Sequence, residues 1–341
     1  MSETQGLSGL INFGNTCYMN SAIQGMSKIP RLRDYFISKK FGEDINRKSI
    51  EMGLVVQWYK LLCGIWENNC VISPNSFRNE VRILAYKQGI NMNFVGNGQN
   101  DVQEFMQFLI TSMHNCLSKK VKMTITGKVL NELDKKALEA MKSWKLFFKN
   151  DFSYFVDLFY GQHASFIYDL NENLMSTTYE PYCFLTLPIP NTTKKMNIYD
   201  CLNLYTTYEK LDGDNKWYHE EKKEYIECYK QIKLWTSPKI LIVVFKRFDN
   251  EGNKNNAIID FPLENLTLSD YSVGYSPHKN KYNLLAISNH IGSLTSGHYY
   301  AYCRNENKKW YEYNDRTVRE ISKDQLISPT AYCLFYEKIN S

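Results

Sequence analysis

Paired cysteines are missing from this 341-residue chain. Its nine cysteines stand at 17, 63, 70, 116, 183, 201, 228, 303 and 333, and no two have the C-x-x-C spacing of a zinc ribbon or a redox motif. An odd count with no disulfide-like framework fits a reducing compartment, so cytosol or nucleus is the expected setting. Long apolar runs are missing as well. The longest, Ile240–Phe245, falls far short of the roughly 20 residues needed to cross a bilayer, so no membrane partner is expected. Met1–Gln5 is polar and acidic, with no basic stretch leading into an apolar run. No secretory signal is expected there, and the segment is expected to be disordered. Charge of one sign is scarce: 41 basic against 36 acidic residues leave +5. That excess is spread along the chain, and no aromatic-plus-basic motif organises it for nucleic acid. No fixed-period repeat and no Pro-rich or Gly/Ser-rich linker divides the chain.

What is present is a large apolar complement. With 43% hydrophobic residues and 14% aromatics, the chain can bury a sizeable core, which excludes disorder as its general state. The first 120 or so residues read mainly as helix. From Asn100 onward, Val102, Phe105, Met106, Leu109, Met113, Cys116 and Leu117 fall on one helical face. Asn100 is the expected N-cap, with Gln103 three residues on, and Asp101 and Glu104 sit in the first turn. A second helix is expected over Val129–Lys149. Beyond about Ser165 the pattern changes to strand-like runs: Ala164–Asp169, Ile240–Phe248, Tyr282–His290, His298–Arg304, Trp310–Tyr313 and Tyr332–Tyr336. Helices first and strands later predict an α+β architecture. A nucleophile on the helical half and a base on the sheet half would meet at the seam.

The densest signal lies near the front, in Gly6-Leu7-Ser8-Gly9-Leu10-Ile11-Asn12-Phe13-Gly14-Asn15-Thr16-Cys17-Tyr18-Met19-Asn20. Glycines punctuate the approach, and Asn15 or Thr16 can cap a helix that holds Cys17 in its first turn. Unpaired backbone N–H groups and the positive end of the helix dipole stabilise a thiolate there. Asn12 is an amide placed to donate to a tetrahedral oxyanion beside the nucleophile's own N–H. Near the other end, Gly297-His298-Tyr299-Tyr300-Ala301-Tyr302-Cys303-Arg304 is followed, after a charged turn, by Trp310-Tyr311-Glu312-Tyr313-Asn314-Asp315. Two short antiparallel strands bring Asn314 near His298. A thiolate nucleophile needs a His base, and the base needs an Asn or Asp to fix its tautomer.

Together the Cys and His stretches closely resemble the Cys box and His box of the ubiquitin-specific proteases, papain-like cysteine proteases that remove ubiquitin. The resemblance runs from about Gly6 to Tyr336. It is supported by Gly98-Gln99-Asn100-Asp101-Val102-Gln103-Glu104-Phe105, by Tyr179-Glu180-Pro181-Tyr182, by Pro238 through Phe248, and by Ala331-Tyr332-Cys333-Leu334-Phe335-Tyr336. It implies a papain-like fold with helical thumb, palm and antiparallel fingers, in a single catalytic domain over about residues 6–338. The thumb would cover about 6–150, the fingers about 160–235 and the palm about 236–338. It implies a monomeric cysteine deubiquitinase acting on ubiquitin or ubiquitinated proteins through a thioester, with no accessory targeting domain. A protease for another ubiquitin-like modifier and an inactive ubiquitin-binding scaffold are the alternatives.

By the same resemblance Cys17 is the nucleophile, His298 the general base and Asn314 the residue that orients it. Asn12 is the oxyanion-hole amide, and Asp315 assists or partly replaces Asn314. Gln99, Asp101, Glu104 and Tyr299 form the tail-binding set. Asp101 and Glu104 would receive the arginines of ubiquitin's C-terminal tail, and Tyr299 would line the channel for its two glycines. A carboxylate facing an Arg makes a charge-assisted pair. The sequence departs from many relatives in the fingers. Where they carry two C-x-x-C zinc pairs, the windows Gly161–Glu180 and Asp212–Lys223 hold only His163 and His219. No metal or other cofactor is expected, and Phe166, Tyr168, Trp217 and Tyr225 are the residues expected to hold the fingers by packing. His290 fits the family pattern just ahead of the loop before His298, but is expected to be a satisfied strand-end residue.

Overall fold

The structure is a computed structural model and describes residues 4–89, 92–192, 194–293 and 296–339. Its helical half contains Cys17–Ser27, Met52–Glu67, Asn75–Gln88, Val102–Leu117 and Glu132–Phe148. Every apolar residue expected on the inner face of Val102–Leu117 is buried, including Phe105, Leu109 and Met113. The cap of that helix is Asp101, one residue later than expected. Its backbone is extended, and its carboxylate accepts from the N–H groups of Gln103 (2.7 Å) and Glu104 (3.2 Å). A carboxylate both satisfies orphan donors and complements the helix dipole, whereas Asn100 turns away to the carbonyl of Gly98. The next helix starts at Glu132 rather than Val129. Asn131 and Asp134 form a reciprocal capping box that fixes its start, leaving Val129 and Leu130 exposed.

The strand half centres on one large sheet. Its order is Thr317–Ile321, Trp310–Asn314, Gly297–Arg304, Lys281–Gly292, Ala331–Lys338, Ile240–Lys246 and Phe184–Pro188, with Leu266–Thr267 added alongside Lys281–Gly292. The Ile240–Phe245 run is a central strand covered on both faces. Ile240, Ile242 and Val244 face the core shared with the helices, while Leu241, Val243 and Phe245 face a second core. Burial on both sides is why this strand reads as a continuous apolar run rather than an alternating one.

A separate antiparallel sheet of Leu174–Tyr182, Gly161–Tyr168, Cys228–Thr236 and Glu209–Leu211 forms the fingers. The expected finger span needs correction. Phe184–Pro188 pairs in parallel with Ile240–Lys246, and helix Ile198–Tyr205 buries Ile198, Cys201 and Leu202 in the second core, so both belong to the central sheet's layer. Of the expected packing residues, Phe166 is buried with Ala137, Ala140 and Trp235, and Tyr168 packs beside them. Trp217 is half-buried against His219, and Tyr225 is exposed, its ring tilted against Tyr218. Expected disorder over Met1–Gln5 also needs correction for Thr4 and Gln5, whose carbonyls accept from Asn69 and Asn305. Met1–Glu3 lie outside the described residues.

The helical half docks on the sheet through the Cys17 helix, which is buried along its whole length. Gly25 permits the approach: a Cβ there would stand 2.9 Å from the Phe335 ring. Ser21 and Ser288 share a buried hydrogen bond of 2.6 Å across the same seam.

Candidate active site

Cys17 is the first residue of its helix. The N-cap is Thr16, yet its hydroxyl does not cap; it donates to Asn12 Oδ1 (3.1 Å) and accepts from the Phe13 N–H (3.0 Å). With no side-chain cap on the helix start, the first-turn N–H groups stay available to an anion at the sulfur. Asn12 is locked in one orientation. Its Oδ1 takes Thr16, and its Nδ2 donates to Asp315 Oδ2 at 2.9 Å. One amide hydrogen of Asn12 is thereby used and the other remains for an oxyanion.

His298 lies near the start of strand Gly297–Arg304, and its Nε2 lies 2.8 Å from Asn314 Oδ1 on the neighbouring strand. That amide oxygen only accepts, so Nε2 carries the proton and Nδ1 is left for the sulfur. The side-chain hydrogen bond with Cys17 is the largest influence on the ring and raises His298 to about 9. Burial opposes the rise, while Asn314 and the charges of Cys17 and Asp315 add to it. A cation beside the sulfur follows at neutral pH. Asp315, expected to assist or partly replace Asn314, has its carboxylate held by two amides, Asn12 (2.9 Å) and Asn20 (2.7 Å). Asp315 sits at a turn with φ of 49°, a conformation Asp tolerates, and its carbonyl also accepts from Leu10 N–H. It therefore braces the Asn12 amide and influences the imidazole through its charge.

A cleft of about 880 Å3 is lined by Asp101, Gln103, Glu104, Gln107, Phe108 and Tyr332 among others. Asp101 and Glu104 line this cleft and Tyr299 reaches Asp101 from behind through its hydroxyl, but their environments differ. The second oxygen of Asp101 accepts from the hydroxyls of Tyr332 (2.6 Å) and Tyr299 (3.3 Å), so this carboxylate is held on every side. Glu104 has no ion-pair or hydrogen-bond partner for its carboxylate among the described residues; burial and Asp101 both push its pKa up. Tyr299 is a buried wall. Gln99 does not face the cleft: its amide makes two hydrogen bonds to the backbone of Gly297, at 2.7 and 2.8 Å.

Residues 8–336 match the family described as Ubiquitin carboxyl-terminal hydrolase. The chain belongs to that family. It is 34% identical over 346 residues to ubiquitin carboxyl-terminal hydrolase 2 of Bos taurus, covering 98% of this chain and 55% of the relative. It is also 34% identical to the Gallus gallus protein of the same name, covering 98% of this chain and 94% of that one. The chain thus spans about half the length of the mammalian relatives it matches, 55% for the bovine and 56% for the human protein. A solved structure described as the SAGA Ubp8/Sgf11/Sus1/Sgf73 DUB module bound to ubiquitin aldehyde superposes with a TM-score of 0.73 at 25% identity, covering 100% of this chain and 71% of that chain. The papain-like α+β fold of this family is the fold described above.

Two site residues of this family member were not singled out by sequence reasoning. Asn20, one turn after Cys17, is the second amide on Asp315; it shares its helix face with Gln24 and Ser27, and nothing in that pattern marks it out. Tyr332, at the start of the closing strand, supplies the shorter hydroxyl bond to Asp101, and nothing in its strand pattern distinguishes it from a core aromatic. His290 is buried among Phe248, Tyr299 and Tyr332 but, against the expectation of a satisfied residue, its Nδ1 has no hydrogen-bond partner among the described residues; its pKa is lowered to about 4, first by burial and then by Lys254 and His298. The finger histidines have aromatic neighbours: His163 stacks on Tyr182 and bonds to Tyr205, and His219 lies against Trp217. Among the described residues no group of three or more His, Cys, Asp or Glu is placed to hold a metal ion.

Proposed function

We propose that the chain is a cysteine-type deubiquitinase that hydrolyses the bond after the C-terminal glycine of ubiquitin. The observation that carries the reading is the His298 imidazole held between Asn314 Oδ1 and the Cys17 side chain, at the start of an uncapped helix. The Cys17 thiolate attacks the glycine carbonyl carbon, and the oxyanion forms against the Cys17 N–H and the free hydrogen of Asn12. Collapse breaks the C–N bond, and Nδ1–H of His298 gives its proton to the leaving amine. Water then gives a proton to His298 and adds to the thioester; the C–S bond breaks, restoring the thiolate–imidazolium pair and releasing the ubiquitin carboxylic acid, which ionises by giving its proton to solvent.

Ubiquitin as the partner is supported by solved relatives described as bound to monoubiquitin and to ubiquitin aldehyde. In this reading Glu104 pairs with an arginine of the tail, because its carboxylate has no other partner among the described residues, while Asp101 and Tyr299 form the wall of the glycine channel. We also read the fingers as folding without metal, on the aromatic partners of His163 and His219 and the separate burial of Cys183, Cys201 and Cys228. A reducing setting, cytosol or nucleus, fits nine cysteines that are all unpaired; a monomer is the state proposed. The test is a ubiquitin carrying a C-terminal electrophile. It should label the wild type and not Cys17→Ala; an unlabelled wild type rejects the reading. Labelling by the same electrophile on another ubiquitin-like modifier in preference to ubiquitin would reassign the substrate.

A further inference from the structure

We infer that Gln99 is a positioning residue for the His298 imidazole rather than a contact for the substrate tail, an inference that rests on the hydrolase reading above. Its Oε1 accepts from the Gly297 N–H at 2.7 Å and its Nε2 donates to the Gly297 carbonyl at 2.8 Å. Both polar atoms of one side chain are therefore engaged by the residue immediately before His298. The Trp310–Asn314 strand pairs with the His298 strand only from Ala301 onward, where Ala301 faces Tyr313. Gly297 has no partner from that strand. The Gln99 amide, reaching 198 positions along the chain, supplies the donor and acceptor that a strand residue would have offered.

The opposite side of Gly297 is fixed too. A Cβ at this position would stand 2.3 Å from His290 Nε2 and 2.7 Å from the Ile291 carbonyl oxygen. Gly297 is thus gripped between an amide from the helical half and an imidazole from the sheet. The backbone that leads into His298 takes its position from that grip. Both heavy atoms of the Gln99 amide are engaged on Gly297, which fixes the plane of the amide against that backbone.

The experiment compares wild type, Gln99→Ala and Gln99→Glu by turnover of a ubiquitin coumarin amide and by iodoacetamide alkylation of Cys17 across pH. Glu keeps an acceptor for the Gly297 N–H but sets a carboxylate against the Gly297 carbonyl. Because a misplacement of about 1 Å can cost about 100-fold, kcat is expected to fall by about 10- to 100-fold with KM within about threefold. The pH profile of alkylation is expected to shift toward that of a thiol without an imidazolium partner. Gly297→Ala, which pushes the same backbone off the His290 ring, should give the same pair of changes. A raised KM with unchanged kcat and an unchanged alkylation profile would make Gln99 a tail contact and overturn the inference, as would no change in any readout. Alkylation involves no ubiquitin. A wild type that alkylates with the imidazolium profile yet turns over no ubiquitin substrate rejects the substrate reading and leaves the Gln99 test standing.

Discussion

His298 holds its proton to about 9 chiefly because of the Cys17 side chain, with burial pulling the other way. Cys17→Ala should therefore drop the imidazole back to or below the ordinary histidine value of about 6.5, as read from an NMR titration of the ring. An unchanged high value would mean that Asn314 and Asp315 raise it alone. In the wild type, turnover should fall as pH rises through about 9, because the proton destined for the leaving amine is then lost. Asp315 belongs to the same scale. Its carboxylate binds the amides of Asn12 and Asn20, so Asp315→Ala should act through Asn12. Asn12→Ala is expected to lower kcat by about 100- to 1,000-fold, the usual effect of removing an oxyanion donor. Adding Asp315→Ala to it should cost little more; a full additive loss in the double variant would place Asp315 on the imidazole instead.

The helix Val102–Leu117 combines two tasks in neighbouring carboxylates, and they separate by mutation. Asp101 caps the helix and receives two tyrosine hydroxyls. Asp101→Ala should lower stability by about 1–2 kcal/mol in chemical denaturation, from the lost cap and the hydroxyls left behind. Glu104→Gln should leave the denaturation midpoint in place and raise KM for ubiquitin substrates. Equal stability losses in the two variants would contradict this division. The capping chemistry also explains where the sequence reading slipped. Asn100 and Asp101 are adjacent good caps; the carboxylate suits the helix dipole better, and the tyrosines of distant strands hold its second oxygen.

Stability of the whole molecule toward acid depends on buried imidazoles. His163 and His290 are both lowered to about 4, mainly by burial. Between about 6.5 and 4 the unfolded chain binds protons that the folded chain refuses, so this contribution is full above about 6.5 and lost as pH falls toward 4. The melting temperature should decline over that window, and His163→Gln should flatten the decline; an identical slope would exonerate His163. Because the fingers are read as metal-free, a strong chelator should leave the melting temperature unchanged, and a drop that zinc reverses would reject that reading.

The sequence by itself determined the chemistry and most of the elements. Helix faces and strands follow from side-chain period, and Cys17 at a helix start with His298 two strand-lengths from Asn314 follows from local pattern. The double-sided burial of Ile240–Phe245 was latent in its unbroken apolar run. What period and spacing carry no information about is which distant atoms meet. Only the tertiary structure sets Asn12 and Asn20 on Asp315, turns Gln99 onto Gly297, gives Asp101 two tyrosine hydroxyls, and inserts Phe184–Pro188 into the central sheet. Those pairings join residues up to 303 positions apart. They are decided by how the helical half seats on the sheet, through close approaches such as Gly25 on Phe335, which no local pattern encodes.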